Sequence, residues 1–221
     1  MNYFSKWGVY MISGAFGLPG SGKSLWLARQ ADRALHKKRL HVGTYDLQTI
    51  PGFVYDRIYT NFAFPGAYVF DWDSLGRCNY RNCLFLCDEI MMYADSRDFK
   101  SFTTEHKYAF SQMRKHKCDF IWVSQMYDDC DKKIRGITQN FYYIRHSIIP
   151  GCSDVIPIES FFDIKEGRIQ SGQQFSRRIN RDIYRRSKYF KLVDSYQSAG
   201  ATEAEEPEEE ERLLCLYLPG L

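Results

Sequence analysis

Residues 17 to 24 read Gly-Leu-Pro-Gly-Ser-Gly-Lys-Ser, which places Gly17 and Gly22 at the GxxxxGKS spacing of a phosphate-binding loop. Glycine there permits backbone conformations and close approaches that a Cβ would block, so successive amide N–H groups can ring an anion. The start of a following helix adds partial positive charge. Lys23 is expected to reach the β- and γ-phosphates of a nucleotide, and the Ser24 hydroxyl to sit on magnesium. The candidate binding residues are Gly17, Leu18, Pro19, Gly20, Ser21, Gly22, Lys23, Ser24 and Leu25, and the expected cofactors are ATP and Mg2+.

A magnesium-nucleotide site also needs a carboxylate at the end of a neighbouring buried strand. Asp88 follows the apolar run Cys83 to Cys87, so Ser24 and Asp88 are the candidate metal-side residues. Glu89, one position on, could orient or deprotonate an attacking water, the feature that separates hydrolases from kinases of this class. The alternative is that Asp-Glu caps the next helix. Gln125 ends a second apolar run, Phe120 to Val123, and is a candidate sensor of the γ-phosphate or the water. Arg114, Arg135 and Arg145 are candidates for a cation that neutralises transition-state charge from an adjoining subunit; ordinary surface arginines are the competing reading. His106 and His116 read as packing or surface residues. Cys83 and Cys87 share one face of their strand and read as small core side chains.

These residues need a scaffold that brings several strand ends together. Val9 to Phe16 reads as a strand and Ser24 to about Lys38 as a helix with Leu27, Ala28, Ala31 and Leu35 on one face. Further strands are expected at Arg57 to Asn61, Cys83 to Cys87, Phe120 to Val123 and Phe141 to Arg145, with a helix over 105 to 116. Strands alternating with helices predict an α/β fold, a P-loop NTPase with a mostly parallel doubly wound sheet. After Pro150 the texture changes. Phe161 to Ile164, Gly167 to Ile169 and Tyr189 to Val193 suggest short strands. The expected division is a P-loop domain over 1-150, a small basic β-rich appendage over 151-196, and a disordered, acidic, low-complexity tail with a short apolar end over 197-221.

The chain of 221 residues carries a formal charge of +3, which conceals an asymmetry. Residues 197 to 221 hold seven Glu and one Arg, leaving 29 basic against 20 acidic residues elsewhere. Nine Lys or Arg lie between Lys165 and Lys191 against Glu166 and Asp182 alone. This stretch is either a docking surface for phosphates, nucleic acid or anionic lipid, partly masked by the acidic tail, or a solvated face. The seven cysteines form no CxxC pair, which argues against a disulfide framework or zinc knuckle and for a reducing compartment. No secretory signal is visible at the N-terminus. No apolar run approaches the ~20 residues of a spanning helix.

The sequence resembles the zonular occludens toxin (Zot) family, whose members include assembly ATPases of filamentous bacteriophages. The likeness rests on the loop at 17 to 24, Ile58-Tyr59-Thr60-Asn61, the run from Leu84 to Glu89, Gln112 to Asp119, Trp122-Val123-Ser124-Gln125, Asp131 to Arg135 and a closing Leu192 to Tyr196. The pattern Arg114, His116, Asp119, Gln125 and Arg135 makes it more specific than the loop alone. The resemblance implies an ATP-hydrolysing motor for assembly and export of a filamentous virion, working in the host cytoplasm at the inner face of the inner membrane. Implied partners are further copies of the chain, arranged as a ring, other phage assembly and coat proteins, single-stranded DNA, and a peripheral contact with the membrane. The toxin activity belongs to a distal part that members carry beyond a spanning helix, and is not transferred to these residues. The other readings are a DNA packaging or translocation ATPase, and a nucleotide-binding scaffold that does not hydrolyse.

Overall fold

A computed structural model of the chain describes residues 11–35, 41–42, 45–46, 55–95, 102–158 and 182–193. The expected strands at 161–164 and 167–169, the basic stretch before Asp182 and the acidic tail lie outside them.

The chain opens with β1 (Ile12–Phe16), the loop, and α1 (Lys23–Leu35). A short hairpin of β2 (His41–Val42) and β3 (Tyr45–Asp46) follows. Then come β4 (Arg57–Thr60), β5 (Tyr68–Val69), β6 (Cys83–Cys87), α2 (Thr104–Gln112), β7 (Asp119–Ser124), α3 (Lys132–Ile137), β8 (Asn140–His146), β9 (Cys152–Ile158) and β10 (Asp182–Arg185). Eight strands form one sheet in the order β10-β9-β8-β1-β7-β6-β4-β5. All pairings from β8 to β5 are parallel, while β9 and β10 extend the β8 edge antiparallel. This is a P-loop NTPase fold. The two described strands of the segment after Pro150 are thus continuous with the main sheet.

Why these runs form a central sheet is visible in β6. All five residues are buried, with Cys83, Phe85 and Cys87 in one core and Leu84 and Leu86 in the other. A strand covered on both faces must be apolar at every position. On one side α1 contributes Trp26, Leu27, Ala28 and Ala31, each fully buried. On the other side an aromatic layer of Trp72, Phe102, Phe110 and Phe120 packs under α2, with Phe110 and Phe120 edge to face at 4.8 Å, an arrangement favoured by ring quadrupoles. β1 is central because its small residues admit large neighbours: a Cβ on Gly14 would lie 2.2 Å from the Trp122 indole.

Three departures from the sequence reading have local causes. Tyr189 to Val193 is not a strand; Tyr189 and Leu192 donate to carbonyls three residues back, so these N–H groups are satisfied without a neighbouring strand. β9 was unreadable because Ser153 and Asp154 are buried within it and Pro157 sits opposite Tyr142, where a missing N–H argues against a strand. The helix expected over 105 to 116 ends at Gln112, and the chain then turns through Lys117 at φ 59°. His106, as expected, packs, capping α2 with Thr103 and meeting the Trp72 carbonyl through Nε2 at 3.0 Å.

Candidate nucleotide site

Parallel register carries the ends of β1, β6 and β7 to one edge of the sheet: Phe16 lies beside Ser124, and Cys87 beside Trp122. The loop leaves β1 against β8. A Cβ on Gly17 would come 2.1 Å from the Ile144 carbonyl oxygen, so only glycine fits. Gly22 has φ 102°, and a Cβ there would meet the Tyr184 hydroxyl at 2.6 Å and Ser153 Oγ at 2.8 Å, which again requires glycine.

These two neighbours come from β9 and β10, and they hold the loop from outside. Ser153 Oγ donates to the Ser21 carbonyl at 2.6 Å, the Tyr184 hydroxyl donates to the Gly22 carbonyl, and Arg186 Nη1 donates to the Gly20 carbonyl at 3.2 Å. Peptides are planar and trans, so a carbonyl turned one way turns the next N–H the other. With their preceding carbonyls captured on the β9–β10 side, the N–H groups of Gly22 and Lys23 face away from it, into the loop. The Arg29 guanidinium on α1 forms two hydrogen bonds with Asp182 of β10, at 2.5 and 3.0 Å. This pairing fastens the helix to the same edge. None of Ser153, Tyr184, Arg186 or Asp182 was singled out for this site by sequence reasoning. The one available signal was Asp182, one of only two acids within a basic run.

Lys23 is buried, with its ammonium donating to the carbonyls of Gly17 at 2.8 Å and Leu18 at 3.2 Å. Burial lowers its pKa, opposed by the charges of Glu89 and Asp88. Asp88 stands just beyond β6, hydrogen-bonded to the Ser24 side chain. Burial raises its pKa, while Ser24, the Glu89 N–H and Lys23 act the other way. Asn61 clamps its backbone from both sides, accepting from the Asp88 N–H at 2.7 Å and donating to the Asp88 carbonyl at 2.7 Å. Asn61 was noticed only as part of a motif, without a role.

Glu89 adopts the left-handed conformation, φ 46° and ψ 59°, uncommon for a side chain of its size. Its Oε1 accepts from Gln125 Nε2 at 3.3 Å, and its buried Oε2 has no hydrogen-bond partner. Burial, then the charges of Asp88 and Asp129, raise its pKa against Gln125 and Lys23.

The structure therefore brings together Lys23, Ser24, Asp88, Glu89 and Gln125. Arg135 lies beyond the same edge but is engaged within its own chain, bonded to Asp128 at 2.8 Å and set over the Tyr127 ring at 4.6 Å. Arg145 pairs with the buried Asp154 at 3.5 Å. Arg114 is exposed past the end of α2, near the start of β7 and hence at the opposite end of the sheet. The residues present fit magnesium-ATP: a hydroxyl and a carboxylate form the oxygen-rich pair a hard cation takes, and the orphaned Glu89 oxygen is an acceptor awaiting a donor.

Fold and loop together define the P-loop NTPase class. In backbone the chain is similar to the N-terminal domain of zonular occludens toxin from Neisseria meningitidis, with 15% identity over 84% of this chain and 99% of that one and a TM-score of 0.49. It is also similar to the genome packaging NTPase B204 from Sulfolobus turreted icosahedral virus 2 in complex with ATP-gammaS, with 12% identity over 63% of this chain and 77% of that one and a TM-score of 0.41. No protein-family model matches the chain, and no curated protein does.

Proposed function

We propose that the chain is an ATP-hydrolysing motor subunit that drives assembly and export of a filamentous virion. The observation that carries the catalytic part is the joining of two pairs, Ser24 with Asp88 and Glu89 with Gln125, beside the Lys23 loop. Magnesium-ATP, when bound, supplies a phosphoanhydride bond and a cation that neutralises charge developing on the phosphates. The loop N–H groups and Lys23 bind the phosphates, and Lys23 gives up its carbonyl partners to do so. Ser24 and Asp88 hold the metal side. Glu89 Oε2 accepts a proton from water, with Gln125 holding the other oxygen. The motor role rests on the sequence resemblance, from the Asn61 segment to the one at Asp131 to Arg135.

The test is ATP turnover by the purified chain, measured alone and with single-stranded DNA, coat protein or anionic vesicles, alongside sizing by light scattering. Turnover raised by coat protein supports the export motor. Turnover raised only by DNA assigns a packaging or translocation motor, and ATP binding without turnover under every condition leaves a scaffold.

A further inference from the structure

A cavity of about 260 Å³ opens near the N-terminal ends of the strands, between residues 75–81 and the C-terminal half of α2. Its floor is apolar, built from Leu75, Tyr80, Phe85 and Met113. Its rim is mostly basic: Arg77 and Arg81 line it and are exposed, Arg77 lying 3.9 Å from the Glu105 carboxylate of α2 with both side chains largely in solvent, and Arg114, Lys115 and Lys117 stand exposed in the turn that holds its His116. The positive field is felt at that histidine, whose pKa is pushed down first by burial and then by Arg81 and Lys115. Asn79 Oδ1 beside it is buried without a partner. None of this belongs to the nucleotide site, which occupies the other end of the sheet.

We infer that this cavity receives the chain's own segment 203–218, whose acidic run lies on the Arg77 and Arg81 rim while its leucines enter the apolar floor. Two features select that occupant. The segment has the complementary order, seven Glu between Glu203 and Glu211 followed by Leu-Leu-Cys-Leu-Tyr-Leu from Leu213. The cavity is also smaller than the ~300–1,000 Å³ of a drug-sized ligand site, which suits one or two apolar side chains better than a nucleotide. Reach is no obstacle. Twenty residues separate Val193 from Leu213, up to about 65 Å at full extension, against a radius of gyration of about 16 Å for a domain of this size. A neighbouring copy's segment fits the same chemistry, and dilution separates the two sources.

The chain carries its own probe, because Cys78 lines the cavity, half-buried, and Cys215 lies within the apolar run. The full-length protein is treated with a short thiol-to-thiol crosslinker and its peptides identified by mass spectrometry. The expected main product joins Cys78 to Cys215. Arg77→Glu with Arg81→Glu should cut its yield about tenfold, since both attractions become repulsions. Leu213→Asp with Leu214→Asp should do the same from the other partner. An unchanged melting temperature certifies the arginine variant. The inference is overturned if Cys215 couples chiefly elsewhere, for example to Cys152 near the basic stretch, or if the yield ignores both double substitutions. It is equally overturned if an oligodeoxythymidine displaces nothing yet shields Cys78 through Arg77 and Arg81, which would make the cavity a nucleic-acid contact.

Discussion

Glu89 holds a backbone conformation that costs a non-glycine residue about 1–2 kcal/mol, directly after a strand end where Asn61 fixes Asp88 on both sides. The surroundings hold this strain in place, and its result is a carboxylate with one oxygen bonded to Gln125 and the other unpartnered. Glu89→Gln is therefore expected to reduce ATP turnover at least about 100-fold while leaving ATP binding intact; full turnover with unchanged binding would remove Glu89 as the base. Lys23→Ala should abolish tight binding. Because burial raises the Glu89 pKa, and a base must be ionised to act, turnover should climb with pH through a midpoint above the ordinary glutamate range. A different carboxyl governs stability. Asp119 is buried at the far end of β7, accepts from the Met11 N–H at 2.5 Å and the Tyr55 hydroxyl at 2.6 Å, and is nonetheless pushed up to about 7 by burial. A folded-state pKa above the unfolded one means stability that is complete below pH ~4 and lost as pH rises toward 7. Urea unfolding of wild type and Asp119→Asn between pH 4 and 8 should show the wild-type advantage shrinking up to about pH 7 and constant beyond; a pH-independent difference would refute the assignment. The positions of Asp88, Glu89 and Gln125 at strand ends were readable because apolar runs announce buried strands and the next polar residues mark where they stop.

At the scale of elements, three donors from β9, β10 and the turn after β10 take three consecutive loop carbonyls from 132 to 166 residues away in sequence. Such contacts leave no periodic trace, which is why the segment after Pro150 read as an appendage and not as part of the loop's mounting. Ser153→Ala with Tyr184→Phe removes two neutral hydrogen bonds at about 1 kcal/mol each, so nucleotide affinity should fall by up to about thirtyfold, with the isolated effect of each checked by fluorescent-nucleotide titration. Affinity unchanged in the double variant would show that the loop holds its shape alone. Arg29→Ala strands Asp182, whose side chain is 16% exposed against 6% for Arg29. Leaving one member of a buried pair alone costs about 3 kcal/mol, which chemical unfolding would register directly. The parallel core, by contrast, was legible from strand composition alone, since strands buried on both faces must be continuously apolar.

For the whole molecule, Arg135 and Arg145 are both occupied within the chain, by Asp128 with Tyr127 and by Asp154, and Arg114 is at the wrong end to serve its own site. If the transition state needs an arginine from a neighbour, specific activity should increase with protein concentration, and a constant rate from a species shown to be monomeric would exclude the idea. Mixing Glu89→Gln protein with Arg135→Ala or with Arg114→Ala protein identifies the donor. Among the described residues no helix is long and apolar enough to cross a membrane.

The outward clasp on the loop also sets an order in time. Residues 17 to 24 leave the ribosome well before their partners: β1 pairs with β7 and β8, more than 100 positions later, and Ser153, Tyr184 and Arg186 hold the carbonyls of Ser21, Gly22 and Gly20. At about 5–20 residues per second, the nascent chain spends some ten to thirty seconds with its phosphate loop unmounted. A stalled chain exposing only residues 1–150 should therefore hold nucleotide poorly, and one exposing residues through 193 should hold it as the released protein does, so that ATP capture becomes a clock for completion of the sheet.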